Sequence, residues 1–214
     1  GSTYALGAYD NAANSWNNYT TTSVANAGNF DIGSGYQMAT NNGETLAFTG
    51  TIATTDQGQS IINNNGNGGR RWNLVANPFP SYLKATNDAD ATDNFLKVNS
   101  ESGVIDGTFS AIYGWNADGS GYTPYNHTSG SVYLAPGQGF FVAAASASSS
   151  DLSFTEAMQT VTGGDDFVAG RMANTSSAFH LKLYEDEDFI ADTKFYFDSN
   201  LTLGLDPGYD AGAF

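Results

Sequence analysis

Apolar and polar residues alternate along much of this chain. Thr45-Leu46-Ala47-Phe48-Thr49 and Phe179-His180-Leu181-Lys182-Leu183-Tyr184 place every second side chain on one face, which is the period of a strand. No helical period persists. Runs of Gly, Asn, Ser and Thr separate the alternating stretches, as turns do between short strands. The pattern predicts an all-β chain of antiparallel, jelly-roll-like sandwich type.

The alternation is organised as a duplication. Ile32-Gly33-Ser34-Gly35-Tyr36-Gln37-Met38-Ala39 precedes Thr45-Leu46-Ala47-Phe48-Thr49-Gly50. In the second half, Leu134-Ala135-Pro136-Gly137-Gln138-Gly139-Phe140-Phe141-Val142-Ala143 precedes Asp151-Leu152-Ser153-Phe154-Thr155-Glu156. Each copy reads as turn, strand, small-residue loop and strand, a β-hairpin used twice. Gly33 and Gly137 suit turns needing positive φ. Gly35 and Gly139 suit a bulge or a close backbone crossing. An aromatic hairpin precedes each copy: Ser15-Trp16-Asn17-Asn18-Tyr19-Thr20 in one, and Gly114-Trp115-Asn116 through Gly121-Tyr122-Thr123 in the other.

Between the copies, Arg71-Trp72-Asn73-Leu74-Val75-Ala76 reads as a strand stopped by Pro78 and Pro80. Residues 84–103 read as a polar loop with one helical turn. A Gly/Asp-rich joint, Thr162 to Asp166, then leads to strands over 167–205. The expected organisation is a duplicated β-sandwich region over 1–160, with halves of about 1–70 and 71–160. Residues 161–214 follow as C-terminal strands of a truncated second β-domain. Gly1-Ser2 resembles a cloning scar, so the expectation is a piece excised from a longer chain.

Composition narrows the function classes. With 40% apolar residues, 14 Phe, 12 Tyr and 3 Trp, the 214-residue chain has material for a core. The net charge of −15 repels phosphate backbones and argues against nucleic acid. No stretch approaches the 18 or so apolar residues of a membrane span. The absence of Cys is compatible with a secreted domain of this size. A monomer is expected.

Several strings also resemble a known family. Trp72-Asn73-Leu74-Val75-Ala76-Asn77-Pro78-Phe79-Pro80-Ser81 resembles the "GWNLVGNPFPS" signature of large secreted proteins of the Bacteroidetes. Ile112-Tyr113-Gly114-Trp115-Asn116 resembles their "IYVWN" strand, and Leu134 to Val142 their "IAPGQGFFV". Asp192-Thr193-Lys194-Phe195-Tyr196-Phe197, with Leu203 to Gly212, resembles their "TxIYF…GLDPGYDAGKF". Arg71 and Ala76 stand where that family usually has Gly. The resemblance implies a region upstream of a C-terminal type IX secretion sorting domain. It further implies a secreted or outer-surface location and other domains of the same polypeptide as neighbours. Its hosts are glycan-degrading enzymes, adhesins and proteins of unknown role, so it implies no single ligand.

Catalytic equipment is sparse in the sequence. The only two His, His127 and His180, adjoin no nucleophile-elbow motif and form no zinc pattern. No cofactor is expected. Structural Ca2+ has three candidate sites: Asp88, Asp90 and Asp93; Asp118 with Asn116 and Ser120; and Asp206 with Asp210. The competing reading of each is a solvated turn, since Asp and Asn cap their own backbone. Polysaccharide is the expected partner, bound by exposed rings against which sugar faces stack. The candidates are Trp16, Tyr19, Trp115, Tyr122 and Tyr125. Tyr122 and Tyr125, in turn chemistry, are expected to be the exposed ones, whereas Trp72 and Trp115 read as core. The function so expected is a non-catalytic, carbohydrate-binding accessory module. The alternative is a spacer or adhesin segment with no sugar ligand.

Overall fold

The computed structural model describes residues 3–26, 28–38, 48–64, 70–116, 121–163, 177–185 and 188–197. Among the described residues the chain is all-β with one short α-helix. In order it forms β1 (Thr3–Asp10), β2 (Ser15–Thr20), β3 (Tyr36–Met38), β4 (Gln57–Ile61), β5 (Trp72–Ala76) and β6 (Tyr82–Lys84). Helix α1 (Phe95–Glu101) follows, then β7 (Ile112–Trp115), β8 (Tyr122–Tyr125), β9 (Tyr133–Leu134) and β10 (Gly139–Ala143). The last strands are β11 (Ser150–Phe154), β12 (Gln159–Thr160), β13 (Ser177–Glu185) and β14 (Asp188–Phe197).

The strands pair antiparallel in several small sheets, ordered β2-β1-β3, β5-β10-β7-β8, β11-β4, β12-β6-β9 and β13-β14. The four-stranded sheet is the organising layer. Its alternation sends Val75, Phe140, Val142 and Ile112 to one face. There they meet Ile61 of β4, Leu152 and Phe154 of β11, Leu83, Leu134, and Phe95 and Leu96 of α1 in the main core. Burying each such side chain contributes about 1.5–3 kcal/mol. The opposite face carries Trp72, Tyr113, Phe141 and Ala143, with Tyr9 of β1 and Tyr122 of β8 packed against them. The chain is thus sandwich-like, with a mixed aliphatic and Phe core on one side of the sheet and a smaller, mainly aromatic cluster on the other.

Helix α1 forms where one helical turn is expected. Asn94, extended at φ −122° and ψ 156°, caps it by accepting from the Lys97 N–H at 2.9 Å.

The two Gly-x-Gly copies do related work. Gly33 (φ 81°) and Gly137 (φ 70°) both adopt the positive φ their turns require. Both motifs then hold the same end of β5, from opposite sides. The Ala76 N–H donates to the Gly33 carbonyl (2.8 Å) and the Gly35 N–H to the Leu74 carbonyl (3.1 Å). Across the strand, Gly139 pairs with Ala76, and the Asn77 N–H donates to the Gln138 carbonyl at 3.0 Å. A Cβ on Gly35 would lie 2.5 Å from Leu74 Cγ and 2.9 Å from the Val75 carbonyl oxygen, so the close crossing is real there. At Gly139 the nearest atom would be 3.7 Å away, and no such crossing exists.

The expected second hairpin does not form. β10 pairs with β5 and β7, whereas β11 pairs with β4. After Ala143 the chain leaves the central sheet and lays β11 across the main core beside α1. Leu152 and Phe154 are buried there, and both edges of β10 are already paired, with β5 and β7. In the first copy, residues 39–47 lie outside the described residues. The aromatic hairpins do form, as β1-β2 and β7-β8.

Candidate functional site

Trp72, Asn73 and Asn77 of the signature string over 72–81 are buried and hold neighbouring segments together. Trp72 is 4% exposed, and its ring meets Tyr113 at 4.7 Å and Phe109 at 5.4 Å. Asn73 clamps the end of β4: its Oδ1 accepts from the Ile62 N–H, and its Nδ2 donates to the Ile62 and Arg71 carbonyls. Buried Asn77 does the same for the Pro turn. Its Nδ2 donates to the carbonyls of Ser81, Leu134 and Ala135, and its Oδ1 accepts from the Phe79 N–H. Arg71, at a position where Gly is usual in the resemblance, pairs with Asp106 at 2.6 Å and lies over the Phe109 ring at 4.7 Å.

The aromatic residues of the two hairpins converge. Trp16 of β2 stands beside Tyr9 (5.5 Å), which it faces directly across the β1-β2 ladder. Both rings reach Phe141 of β10, Tyr9 at 4.9 Å and Trp16 at 6.0 Å. On its other side Phe141 meets Tyr122 at 5.4 Å, and Tyr122 meets its cross-strand partner Trp115 at 5.0 Å. The result is a continuous row, Trp16–Phe141–Tyr122–Trp115, with Phe141 buried at the middle and an exposed indole at each end. Trp16 is 37% and Trp115 52% exposed. The rings meet at 69–90°, edge to face, as their quadrupoles favour.

This arrangement corrects two expectations. Trp115 is exposed and not core: it is the last residue of β7, and its ring lies 5.0 Å from that of Tyr122. Tyr122 and Tyr125 are half-buried and not freely exposed. Tyr122 leans on Phe141, and Tyr125 packs against the main core beside Ile112, its partner in β7. Burial pushes the Tyr122 phenol up to about 12, with Tyr9 adding to the rise. Tyr9 is raised by burial and then by the Asp10 carboxylate, and its hydroxyl donates to Asn14 Oδ1 at 2.5 Å. Tyr19 is half-buried on β2, away from the contacts that make the row. The pivotal residue that sequence reading missed is Phe141. Its signal was the doubled Phe140-Phe141, which must place one ring on each face of a strand.

The acidic candidates are arranged differently. Both oxygens of Asp90 already accept. Oδ1 takes the N–H groups of Thr92 (2.9 Å) and Asp93 (3.0 Å), and Oδ2 takes Lys84 Nζ at 2.7 Å. The Asp93 N–H, the Lys84 ammonium and the Thr92 N–H together hold this carboxyl well below the usual carboxylate range. Its oxygens are thus directed at donors and not at a shared cation position. Asp88 and Asp93 are exposed. Asp118, Asp206 and Asp210 lie outside the described residues. Among the described residues, no group of three or more His, Cys, Asp or Glu is arranged to hold a metal ion.

His127 is half-buried, with Nδ1 3.4 Å from Asn87 Oδ1. Burial lowers its pKa, Lys97 lowers it further, and Glu101 acts in the other direction. The backbone register sets His180 opposite Lys194 in the β13-β14 pair. No helix among the described residues is long and apolar enough to cross a membrane.

No curated protein and no solved structure matches the chain. Residues 66–214 match the model of a family described as "Domain of unknown function (DUF8693)", and the chain belongs to that family.

Proposed function

We propose that this chain is a non-catalytic accessory module of a secreted multidomain protein, and that it binds polysaccharide along the row from Trp16 to Trp115. One observation carries the reading. Two exposed indoles, contributed by separate hairpins, are fixed at the ends of a single run of ring contacts through Phe141. A ring held by its neighbours loses little freedom when a ligand stacks on it, so such residues make efficient anchors. The resemblance of the Trp72–Ser81 string to secreted proteins supports an outer-surface location.

Affinity electrophoresis through gels containing plant and marine polysaccharides tests the proposal. Retardation of the native protein, weakened in Trp16→Ala and in Trp115→Ala, is expected. Unretarded migration of the folded protein in every gel would refute it.

The second reading, a spacer or adhesin segment serving type IX secretion or surface display, draws on the ring angles. Edge-to-face contacts of 69–90° do not form one flat platform. It predicts folded protein without sugar affinity, the outcome that sinks the first reading.

A further inference from the structure

We infer that the row from Trp16 to Trp115 takes an uncharged polysaccharide, and not a sulfated or uronic-acid polymer. This rests on the polysaccharide-binding reading above and narrows it to a chemical class.

Amides stand beside the Trp16 end of the row. Asn14 receives the Tyr9 hydroxyl, and Asn18, on the same face of β2 as Trp16, is exposed. Asn18 Oδ1 accepts from Gln37 on β3. A carboxamide both donates and accepts, as a sugar hydroxyl does.

The formal charges point the same way. Asp10 ends β1 beside Tyr9, whose phenol it raises after burial itself. The chain carries 7 Lys and Arg against 22 Asp and Glu. Arg71, Lys84 and Lys97 are committed to Asp106, Asp90 and Glu101. An anionic polymer approaching the row therefore meets a field of its own sign, which slows encounter and opposes docking.

The test is affinity electrophoresis of native protein and Trp115→Ala in two gel series, each at low and high salt. One series holds neutral glucan, xylan and mannan; the other holds alginate, polygalacturonate and carrageenan. The expected result is retardation in a neutral gel alone, insensitive to salt, and weakened about tenfold in Trp115→Ala. Retardation by an anionic gel that depends on Trp115 would overturn this inference and leave polysaccharide binding standing. Absence of retardation in both series, with the protein shown folded by its thermal transition, would overturn both.

Discussion

Trp16 and Phe141 meet edge to face, their ring centroids 6.0 Å apart, although one belongs to the N-terminal hairpin and the other to the middle of the central sheet. Phe141 is buried and holds rings on both sides, so its removal leaves a cavity. Phe141→Ala is expected to destabilise the protein by about 3–5 kcal/mol. Trp115→Ala, at an exposed rim, is expected to stay within about 0.5 kcal/mol. Denaturant unfolding of the two variants separates them, and equal losses would contradict the assignment of middle and end.

The signature asparagines act as brackets. Removing the side chain of Asn77 leaves the carbonyls of Ser81, Leu134 and Ala135 and the Phe79 N–H without this partner. Asn77→Ala should cost at least about 2 kcal/mol, the desolvation penalty of buried groups left unpaired. A shift of the urea midpoint at unchanged m-value would report it.

The two Gly-x-Gly copies differ in a way that substitution can read. Gly35→Ala drives a methyl into Leu74 and the β5 backbone and should cost about 1–3 kcal/mol. Gly139→Ala meets nothing closer than 3.7 Å and should change stability by less than about 0.5 kcal/mol. Thermal unfolding of the pair suffices, and similar values would undercut the asymmetry.

Asp90 links stability to pH. Its carboxyl is lowered by the Asp93 N–H, Lys84 and the Thr92 N–H, so the folded state favours its ionised form. A group lowered on folding contributes fully above its unfolded pKa, about 3.9 for Asp. It loses that contribution as pH falls from there through the folded value. Native protein should therefore lose more stability than Asp90→Ala on acidification below about pH 5. Parallel melting temperatures across that range would rule the linkage out.

Much of the fold was legible because local chemistry decided it. The strand at Trp72–Ala76, the β7-β8 hairpin and the positive φ of Gly33 and Gly137 all follow from alternation and turn residues. The partner of β11 did not, because pairing with β4 is chosen by a core assembled from segments far apart in sequence. The same reason hid the fate of Trp115, which ends an apolar strand yet stands 52% exposed, whereas Trp72 is buried as its string suggests. Asp90 kept the turn role open to it in sequence, while Tyr122 was drawn inward by a Phe on a strand it does not pair with.

The family match begins at residue 66, yet the fold does not. Residues 33–35 seal one side of β5, and β4 lines the flank of β11. A protein cut at the similarity boundary would therefore present two bare strand margins to solvent, the kind of surface through which β-proteins stick to their own copies. The N-terminal segment acts for its neighbour as a built-in guard against self-association, and the unit that folds is larger than the unit that is recognisably alike.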